Sequence, residues 1–263
     1  MRCAMQPPVA STSAAAAAGM RLPVLGVAVD ALDHTSAAQR LIDWAHAGES
    51  RSVCLCNVHA VVTAVDDPLF ADALRQADLV LPDGAPVAWM QRRLGAARQR
   101  RVAGPDLMAN TLGLAAATGV PVYLYGGMPE TLEALCRRLR ERWPALRIAG
   151  SASPPFREPT AAEIAADVAA IHASGARLVW VGLGCPKQER WMAARRGELH
   201  AVTVGVGAAF EFLSGRTARA PRWMQRAGLE WLHRLATEPR RLGPRYLVTN
   251  TRFVFGALRQ LLR

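Results

Sequence analysis

The stretch RLVWVGLGCPKQERWM (residues 177–192) contains the pattern that decides the fold. Residues 178–181 form a short apolar run of β-forming side chains, which predicts a buried strand. Gly182 and Gly184 follow at once, where a chain can turn sharply and let another group approach its backbone. Pro186 suits the first turn of a helix, because its missing N–H would be unpaired there anyway. The stretch therefore predicts a strand, a glycine turn and a helix in succession.

Three polar residues, Lys187, Gln188 and Glu189, fall in the first turn of that predicted helix. The unpaired N–H groups and the positive dipole end of a helix start favour an anion, typically a phosphate. Among the 32 lysines and arginines of the chain, Lys187 is the only lysine, which hints at a specific role for its compact ammonium group. An ordinary turn with a solvated Lys-Gln-Glu trio explains the same residues, so both interpretations stay open.

The alternation of strand, glycine and helix recurs along the chain. Further strands are predicted at residues 53–57, 78–83, 120–125, 148–151 and 201–206. Helical segments separate them, and Gly126-Gly127 and Gly205-Val206-Gly207 close two of the strands. This spacing predicts a parallel α/β sheet of the Rossmann kind, flanked by helices. The three glycine turns also indicate a ligand with phosphate groups, and Gly126, Gly127 and Gly184 are candidate contacts for it.

Several boundaries are predicted from local signals. Residues 22–29 are expected to form one strand, and Thr35 is expected to cap the helix that follows. Residues 99–106 are expected to form a polar, basic loop. Thr160, with Glu163 three residues later, predicts a capping box. Near the C-terminus we expect one helix over residues 221–236 and a final helix over residues 245–262.

The composition limits the class of protein. Hydrophobic residues make up 51% of the chain, yet no uninterrupted apolar run approaches the roughly 20 residues of a membrane span. The net charge is +11, and residues 216–263 hold eleven arginines against Glu230 and Glu238, a balance of 11 − 2 = +9. Such a basic tail is typical of proteins that bind nucleic acid, anionic lipid or a phosphorylated substrate.

We predict three regions. Residues 1–20 are Ala/Ser/Pro-rich and are interpreted as a disordered leader, with Met20 as an alternative start. Residues 21–215 form the α/β catalytic core, and residues 216–263 form an Arg-rich helical appendage. The five cysteines form no CxxC pair and no plausible zinc cluster, which indicates reduced thiols in a cytosolic protein and no metal site.

One carboxylate is the best candidate for catalysis. Asp83 is predicted at the C-terminal end of a strand, the edge at which parallel sheets bind ligands. A structural Asp in an Asp-Gly turn would give the same pattern. Asn57 and His59 also follow a strand, and we favour Asn57, since a lone His is more often structural. The chain lacks a GxGxxG fingerprint, a P-loop and an Asp-x-Asp pair, which disfavours NAD chemistry, ATP hydrolysis and a metal–nucleotide site.

Eight segments occur in an order that resembles a known family. They are NVHAVVTAVDDP, ADLVLPDGAPV, RVAGPDL, YLYGG, VGLGCPKQERW, VGVGAAFEFLSG, RAPRW and GLEWLHRLATEPRR. Together they resemble the WecG/TagA/CpsF family of bacterial glycosyltransferases (glycosyltransferase family 26), over residues 22–246. Each segment alone is a weak signal, whereas eight in series are highly specific.

The resemblance implies a reaction and a location. It implies transfer of a sugar from a UDP-sugar, of the UDP-ManNAc, UDP-ManNAcA or UDP-Glc type, onto a polyprenyl-diphosphate-linked saccharide in cell-surface or exopolysaccharide biosynthesis. It implies an inverting reaction that needs no metal and no cofactor. The enzyme is expected in the cytoplasm, peripherally attached to the inner face of the cell membrane through its C-terminal appendage. The oligomeric state is left open, with a homo-oligomer among the options.

The resemblance also assigns residues. Asp83 is the proposed general base, and Asn57 matches the family's Asn after the second strand. Arg101, Gly104 and Asp106 match the R-V-x-G-x-D element. Gln188 and Glu189 match the element that lines the donor pocket, and on this view Gln188 contributes to donor binding and little to stability. Two positions depart from the family pattern: Leu55 stands where a Thr is frequent, and Glu211 where an Asp is frequent.

The arginines of the tail are divided between two roles. We assign Arg219, Arg234, Arg240 and Arg241 to the diphosphates of donor or acceptor, because they lie nearer the core motifs. Arg245, Arg252 and Arg259 recur every seven residues and are assigned to the lipid surface. The alternatives are an ordinary helical cap, a nucleic-acid-binding module that uses the basic tail, and a redox enzyme on the same fold. A nucleic-acid module explains the charge but not Asp83 or the glycine turns, and the missing GxGxxG fingerprint disfavours a redox enzyme. We expect no nucleic-acid partner.

Overall fold

The computed structural model describes residues 19–262, so most of the predicted leader lies outside the described residues. The strands are β1 (Arg21–Val24), β2 (Val27–Asp30), β3 (Arg51–Cys56), β4 (Leu79–Pro82), β5 (Val122–Gly126), β6 (Ile148–Ala152), β7 (Leu178–Gly182) and β8 (Val202–Gly205). The helices are α1 (His34–Ala47), α2 (Val58–Asp66), α3 (Pro68–Gln76), α4 (Ala85–Arg93), α5 (Gly104–Thr118), α6 (Pro129–Arg142), α7 (Ala161–Ser174), α8 (Lys187–Ala194), α9 (Ala209–Ser214), α10 (Arg222–Arg226), α11 (Glu230–Thr237) and α12 (Pro239–Leu261).

Six strands form one parallel sheet in the order β4-β3-β8-β7-β5-β6. The predicted Rossmann-like fold is confirmed. The interior strands are buried on both faces, which explains why the sequence shows continuous apolar runs in place of alternation. Strands β3 and β7 lie on either side of β8, and the carboxyl ends of all three face the same edge of the sheet.

Helices cover both faces of this sheet. One face packs with Leu41 of α1, Leu107 of α5 and Leu135 of α6. The other packs with Phe70 of α3 and Phe253 of α12. The last helix of the chain therefore contributes to a main hydrophobic core, which favours a fixed position for it against the sheet.

The prediction of one strand over residues 22–29 is wrong. The chain forms a β1–β2 hairpin with antiparallel pairing, and its turn contains Leu25 (φ 49°) and Gly26 (φ 87°). The hairpin is held to the sheet by Asp30, whose Oδ2 accepts a hydrogen bond from the Val80 N–H at 2.7 Å. The residues on both sides of this turn are apolar, so the sequence pattern predicts one continuous strand. The two strands are separated only by the left-handed backbone conformation at the turn.

Two predictions about helix starts are corrected and one is confirmed. Asp33 caps α1, because its Oδ1 accepts a hydrogen bond from the Ser36 N–H at 2.7 Å, so Thr35 lies inside the helix. The predicted loop over residues 99–106 ends earlier, because α5 begins at Gly104. The capping box of Thr160 and Glu163 is present as predicted.

The C-terminal helices also differ from expectation. The predicted helix over residues 221–236 is two helices, α10 and α11, separated at Gly228 (φ 74°). The final helix begins at Pro239 and continues through Pro244. Full burial of Leu242 holds this first part of α12 in place, and Pro244 costs the helix one backbone hydrogen bond.

Polar contacts fix α12 at its far end. Arg252 pairs with Asp66 at the end of α2 through both terminal guanidinium nitrogens, Nη1 and Nη2. The Leu25 N–H donates to Oε1 of Gln260 at 2.8 Å, which joins α12 to the hairpin turn. None of the helices within residues 19–262 is both long and apolar enough to cross a membrane.

Candidate active site

A cavity of about 830 Å³ opens at the carboxyl ends of the central strands. Asn57 follows β3, Asp83 follows β4 and Gly184 follows β7, and all three line the cavity. The C-terminal helices close the opposite side. Because parallel strands end at one edge of a sheet, residues far apart in the sequence meet here, as expected for ligand sites on open α/β sheets.

Asp83 is held at the cavity wall by its own backbone. Its N–H donates to the carbonyl of Cys56 at 2.9 Å, which extends the pairing of β4 with β3 by one residue. Burial raises the pKa of this carboxyl to about 6, and nearby Glu230 adds to the rise, while Arg101 and Arg234 oppose it. At neutral pH the carboxylate is mostly ionised and still basic, as a general base requires.

Asn57 and His59 lie at the start of α2. Oδ1 of Asn57 accepts a hydrogen bond from the Ala60 N–H at 3.1 Å and so caps the helix, and the same residue lines the cavity. His59 also lines the cavity, and burial together with the charge of Arg245 lowers the pKa of its imidazole. Asn57 therefore has a structural role in addition to its position in the cavity, and His59 is neutral at neutral pH.

Gln188 joins two of the glycine turns. Its Oε1 accepts hydrogen bonds from the N–H groups of Gly184 at 3.2 Å and Gly207 at 3.1 Å. The side chain is only 4% exposed, and a Cβ placed on Gly205 would lie 3.0 Å from its Nε2. Gln188 therefore supports the shape of the cavity wall, a role that its position in the sequence did not reveal.

Glu189 places a second carboxyl in the cavity wall, and it is almost fully buried. Its Oε1 accepts a hydrogen bond from Nε2 of Gln188 at 2.9 Å, while its buried Oε2 has no hydrogen-bond partner among residues 19–262. Burial raises the pKa of Glu189 to about 7, although the hydrogen bonds from Gln188 and Cys185 act in the other direction. The lack of a partner for this buried oxygen disfavours the ionised form of Glu189, in the same direction as burial.

Arginines and acids form a network at the side of the cavity formed by α11. Arg101 donates from Nη1 to Oε2 of Glu230 at 2.8 Å, and Arg219 donates from Nε to Oε1 of the same carboxylate at 2.9 Å. Arg219 also binds Asp106 through both terminal nitrogens. Arg101 and Glu230 line the cavity, whereas Arg219 and Asp106 stand behind them.

A comparison with known protein families agrees with this geometry. Residues 22–263 match the Glycosyl transferase WecG/TagA/CpsF family. The chain belongs to this family. It is therefore a glycosyltransferase, and the resemblance drawn from eight sequence segments is confirmed over nearly the whole chain.

The other predicted site residues of this glycosyltransferase lie in different places. Arg234 and Arg241 line the cavity, together with Asp83, Asn57, Arg101, Gly184, Gln188 and Glu189. Seven predicted residues do not line it: Asp106, Gly126, Gly127, Lys187, Glu211, Arg219 and Arg240. Lys187 is exposed at the start of α8, and Glu211 accepts a hydrogen bond from the Thr131 hydroxyl at 2.9 Å.

The glycines that end β5 and β7 have a packing role. A Cβ on Gly126 would lie 2.7 Å from the carbonyl carbon of Gly182, and the Gly127 N–H donates to the carbonyl of Gly182 at 3.2 Å. A Cβ on Gly182 would lie 2.8 Å from the ring of Phe210. Close approach of two neighbouring strands to an aromatic ring explains these glycines without a ligand.

Several cavity residues of the glycosyltransferase were not predicted from the sequence. They are apolar or aromatic, and many belong to the C-terminal helices: Trp89, Phe212, Trp231, Tyr246, Phe253, Val254, Ala257 and Leu258. Val254 and Leu258 fall within the final helix that the sequence predicts over residues 245–262. That they face the cavity depends on how α12 packs on α2, which the periodicity of one segment does not specify.

Proposed function

We propose that this glycosyltransferase moves a sugar from a UDP-sugar onto a polyprenyl-diphosphate-linked saccharide, with Asp83 as the general base. The observation that carries the proposal is an ionisable carboxyl in the wall of a large cavity, with its pKa raised to about 6 by burial. Among residues 19–262, no side chain donates a hydrogen bond to the carboxyl oxygens of Asp83. These oxygens are therefore available to an acceptor hydroxyl.

The reaction follows from this placement. Asp83 removes the proton of the acceptor hydroxyl while its oxygen attacks the anomeric carbon of the donor sugar. The bond from that carbon to the β-phosphate oxygen breaks, and UDP leaves with the electron pair. Attack from the face opposite the leaving group inverts the anomeric configuration, so one base is sufficient.

The charges of the leaving diphosphate need stabilisation. Arg234, Arg241 and Arg245 all line the cavity, and guanidinium groups bind phosphate oxygens with paired hydrogen bonds. These arginines support a reaction in which positive side chains, and not a divalent metal, stabilise the charge of the leaving diphosphate. We therefore propose a metal-independent transfer.

The other side of the cavity suits a lipid. Phe253, Val254, Ala257 and Leu258 of α12 form an apolar wall beside the polar groups. The outward side of α12 also exposes Leu247 and Phe255, by 73% and 69%. A polyprenyl chain that runs along α12 would pass from the cavity to this exposed apolar surface, which supports attachment of the enzyme to the inner face of the membrane.

The arginines of α12 need to be reassigned. Arg245 lines the cavity and Arg252 pairs with Asp66, so neither is free for the lipid surface in the way the sequence pattern suggested. Arg219 and Arg241 are also paired, with Asp106 and Glu238. The pairs with Asp66 and Asp106 place acids from outside the tail beside two of its arginines, which lowers its local positive charge and weighs against nucleic acid as a partner. We propose that Arg259 is the arginine of this set that contacts anionic lipid.

One experiment tests the proposal directly. The protein is incubated with UDP-ManNAc, UDP-ManNAcA or UDP-Glc and a short-chain polyprenyl-diphosphate sugar, and the product is identified by mass. We expect a mass gain of one sugar residue with one of these donors, and the same rate in excess EDTA. A product that forms only after Mg²⁺ or Mn²⁺ is added would refute the metal-independent reaction. Tight binding to nucleic acid at physiological salt, with no transfer, would favour the alternative.

A further inference from the structure

Glu230 connects the C-terminal segment (residues 216–263) to the α/β core formed by residues 21–215. It is the first residue of α11, and its side chain is 12% exposed. Each of its carboxylate oxygens accepts a hydrogen bond from a different arginine, Arg101 before α5 and Arg219 before α10. Both arginine side chains are also largely buried, each 20% exposed. Ion pairs of this kind fix geometry better than surface pairs, because each partner is costly to leave unpaired.

We propose that Glu230 is a positioning residue for the transfer reaction: it fixes Arg101 beside Asp83 when α11 is docked on the core. This inference rests on the proposed role of Asp83 as the general base. Glu230 itself touches Arg101 and Arg219, so its effect on Asp83 passes through those arginines and through charge.

The two arginines that bind Glu230 differ in their other acidic partners. Arg219 binds Asp106 in the first turn of α5 with both terminal nitrogens, and this leaves Arg219 fully engaged with acids. Arg101 has a single acidic partner, Glu230, among the residues that the structure describes. The position of Arg101 in the cavity wall therefore depends on Glu230, whereas that of Arg219 has a second support.

The charges of this network act on the pKa of Asp83, the proposed base. The charged groups that act on Asp83 are Arg101, Arg219 and Arg234, which favour its ionised form, and Glu230, which opposes it; the Cys56 thiol also faces it. In Glu230→Gln the amide oxygen still accepts the hydrogen bond of Arg101 and keeps it in place, whereas loss of the Glu230 charge removes the opposing group and leaves Arg101 unneutralised. Both changes lower the pKa of Asp83 and weaken it as a base.

The first experiment measures Asp83 directly and needs no substrate. The protein is labelled with ¹³C at the aspartate carboxyls, the Asp83 signal is identified by its loss in Asp83→Asn, and its pKa is read from an NMR titration. We expect Glu230→Gln to lower that pKa by at least roughly half a unit, and Arg101→Gln to raise it. A folded Glu230→Gln variant that leaves the pKa of Asp83 unmoved overturns the proposal. If that variant does not fold, an unmoved pKa of Asp83 in Arg101→Gln overturns it instead, because Arg101 then has no effect on Asp83 for Glu230 to position.

The second experiment measures turnover against pH with a soluble, short-chain acceptor. We expect Glu230→Gln to lower kcat by about tenfold with a small change in KM. We also expect it to shift the acid limb of the pH profile to lower pH. Glu230→Asp, which keeps the charge, should leave the acid limb near that of the wild type. A loss of kcat in Glu230→Gln with an unmoved acid limb would mean that Glu230 only supports the fold, and would overturn the proposal.

Asp66→Asn is the matched control. It also removes an ion pair between the C-terminal segment and the core, with Arg252, but Asp66 does not line the cavity. We expect it to leave the pKa of Asp83 and the acid limb unchanged. If Asp66→Asn shifts them as Glu230→Gln does, loosening of the segment is sufficient and Glu230 has no special role. Absence of transfer with every donor would refute the proposed function instead, and the NMR titration would still decide the role of Glu230.

Discussion

Replacement of Asp83 by asparagine should separate the activity of this enzyme from its stability. Burial raises the pKa of Asp83 from 3.8 to about 6, so the folded protein holds a proton there more tightly than the unfolded chain. The stabilising effect of this difference is fully present below about pH 4 and is lost as the pH rises through about 6. Above pH 6 the ionised carboxylate therefore makes folding less favourable.

The size of the effect follows from the shift. Each pKa unit corresponds to about 1.4 kcal/mol, so a shift of about two units gives an upper limit of about 3 kcal/mol at pH 8. Asp83 is half-buried, and solvent screening reduces this to about 1–2 kcal/mol. Asparagine has nearly the same shape without the charge. We expect Asp83→Asn to melt several degrees higher than the wild type at pH 8, at roughly 2–4 °C per kcal/mol, and to lose this advantage near pH 4.

Turnover should change in the opposite direction. An amide cannot accept the acceptor proton, so we expect kcat to fall by a factor on the order of 10² or more at pH 8, with little change in donor affinity. Melting is followed by calorimetry, turnover by release of UDP and donor affinity by titration calorimetry. Asp72→Asn, at a partly exposed acid paired with Arg75 and outside the cavity lining, is a control that should change neither property. Near-wild-type turnover in folded Asp83→Asn would show that another residue is the base. A melting temperature that is not raised at pH 8 would refute the argument from burial.

Three further predictions follow from the same structure. Glu189→Gln should raise the melting temperature at pH 8 and leave it unchanged at pH 4, because burial raises the pKa of this carboxyl to about 7 and its ionisation opposes folding; an unchanged melting temperature at pH 8 would contradict this. Gln188→Ala should lower the free energy of unfolding by about 1–3 kcal/mol in denaturant titrations, since the N–H groups of Gly184 and Gly207 lose their acceptor; no loss of stability would support a role in donor binding alone. Serine at both Leu247 and Phe255 should reduce sedimentation with anionic liposomes, whereas Phe156→Ser, at an aromatic residue that is 83% exposed after β6, should not; equal sedimentation of both variants would exclude α12 as the membrane surface.

The fold was largely predictable, because its signals are local. Short apolar runs identified the strands of the sheet, three of them with a glycine turn, and Thr160 with Glu163 marked the start of α7. The errors occurred where one residue with an unusual backbone divides an otherwise continuous pattern, at Leu25 in the hairpin and at Gly228 between α10 and α11. The apolar pattern continues across such a break, because the residues on both sides are equally apolar. The pattern alone therefore does not reveal the break.

The site was predictable in part, for a different reason. A residue directly after a parallel strand must lie at the ligand edge, which placed Asp83 and Asn57 correctly in the cavity wall. The distant partners were not predictable. The hydrogen bonds of Gln188 to Gly207 and of Glu230 to Arg101 join segments that only the folded chain brings together. A motif shows that such a residue is polar and near the site, but not whether it faces the ligand or another side chain.

The position of β8 in the sheet has a consequence for biosynthesis. This strand lies between β3 and β7, so it joins the pair β4-β3 to the trio β7-β5-β6. It is also the last strand to be synthesised, at residues Val202–Gly205. A nascent chain that has not yet exposed β8 therefore holds two separate pieces of sheet, each with an open edge ready to pair with another chain. The enzyme cannot complete its sheet strand by strand as it leaves the ribosome. The newly made chain is therefore most prone to aggregation before β8 has emerged.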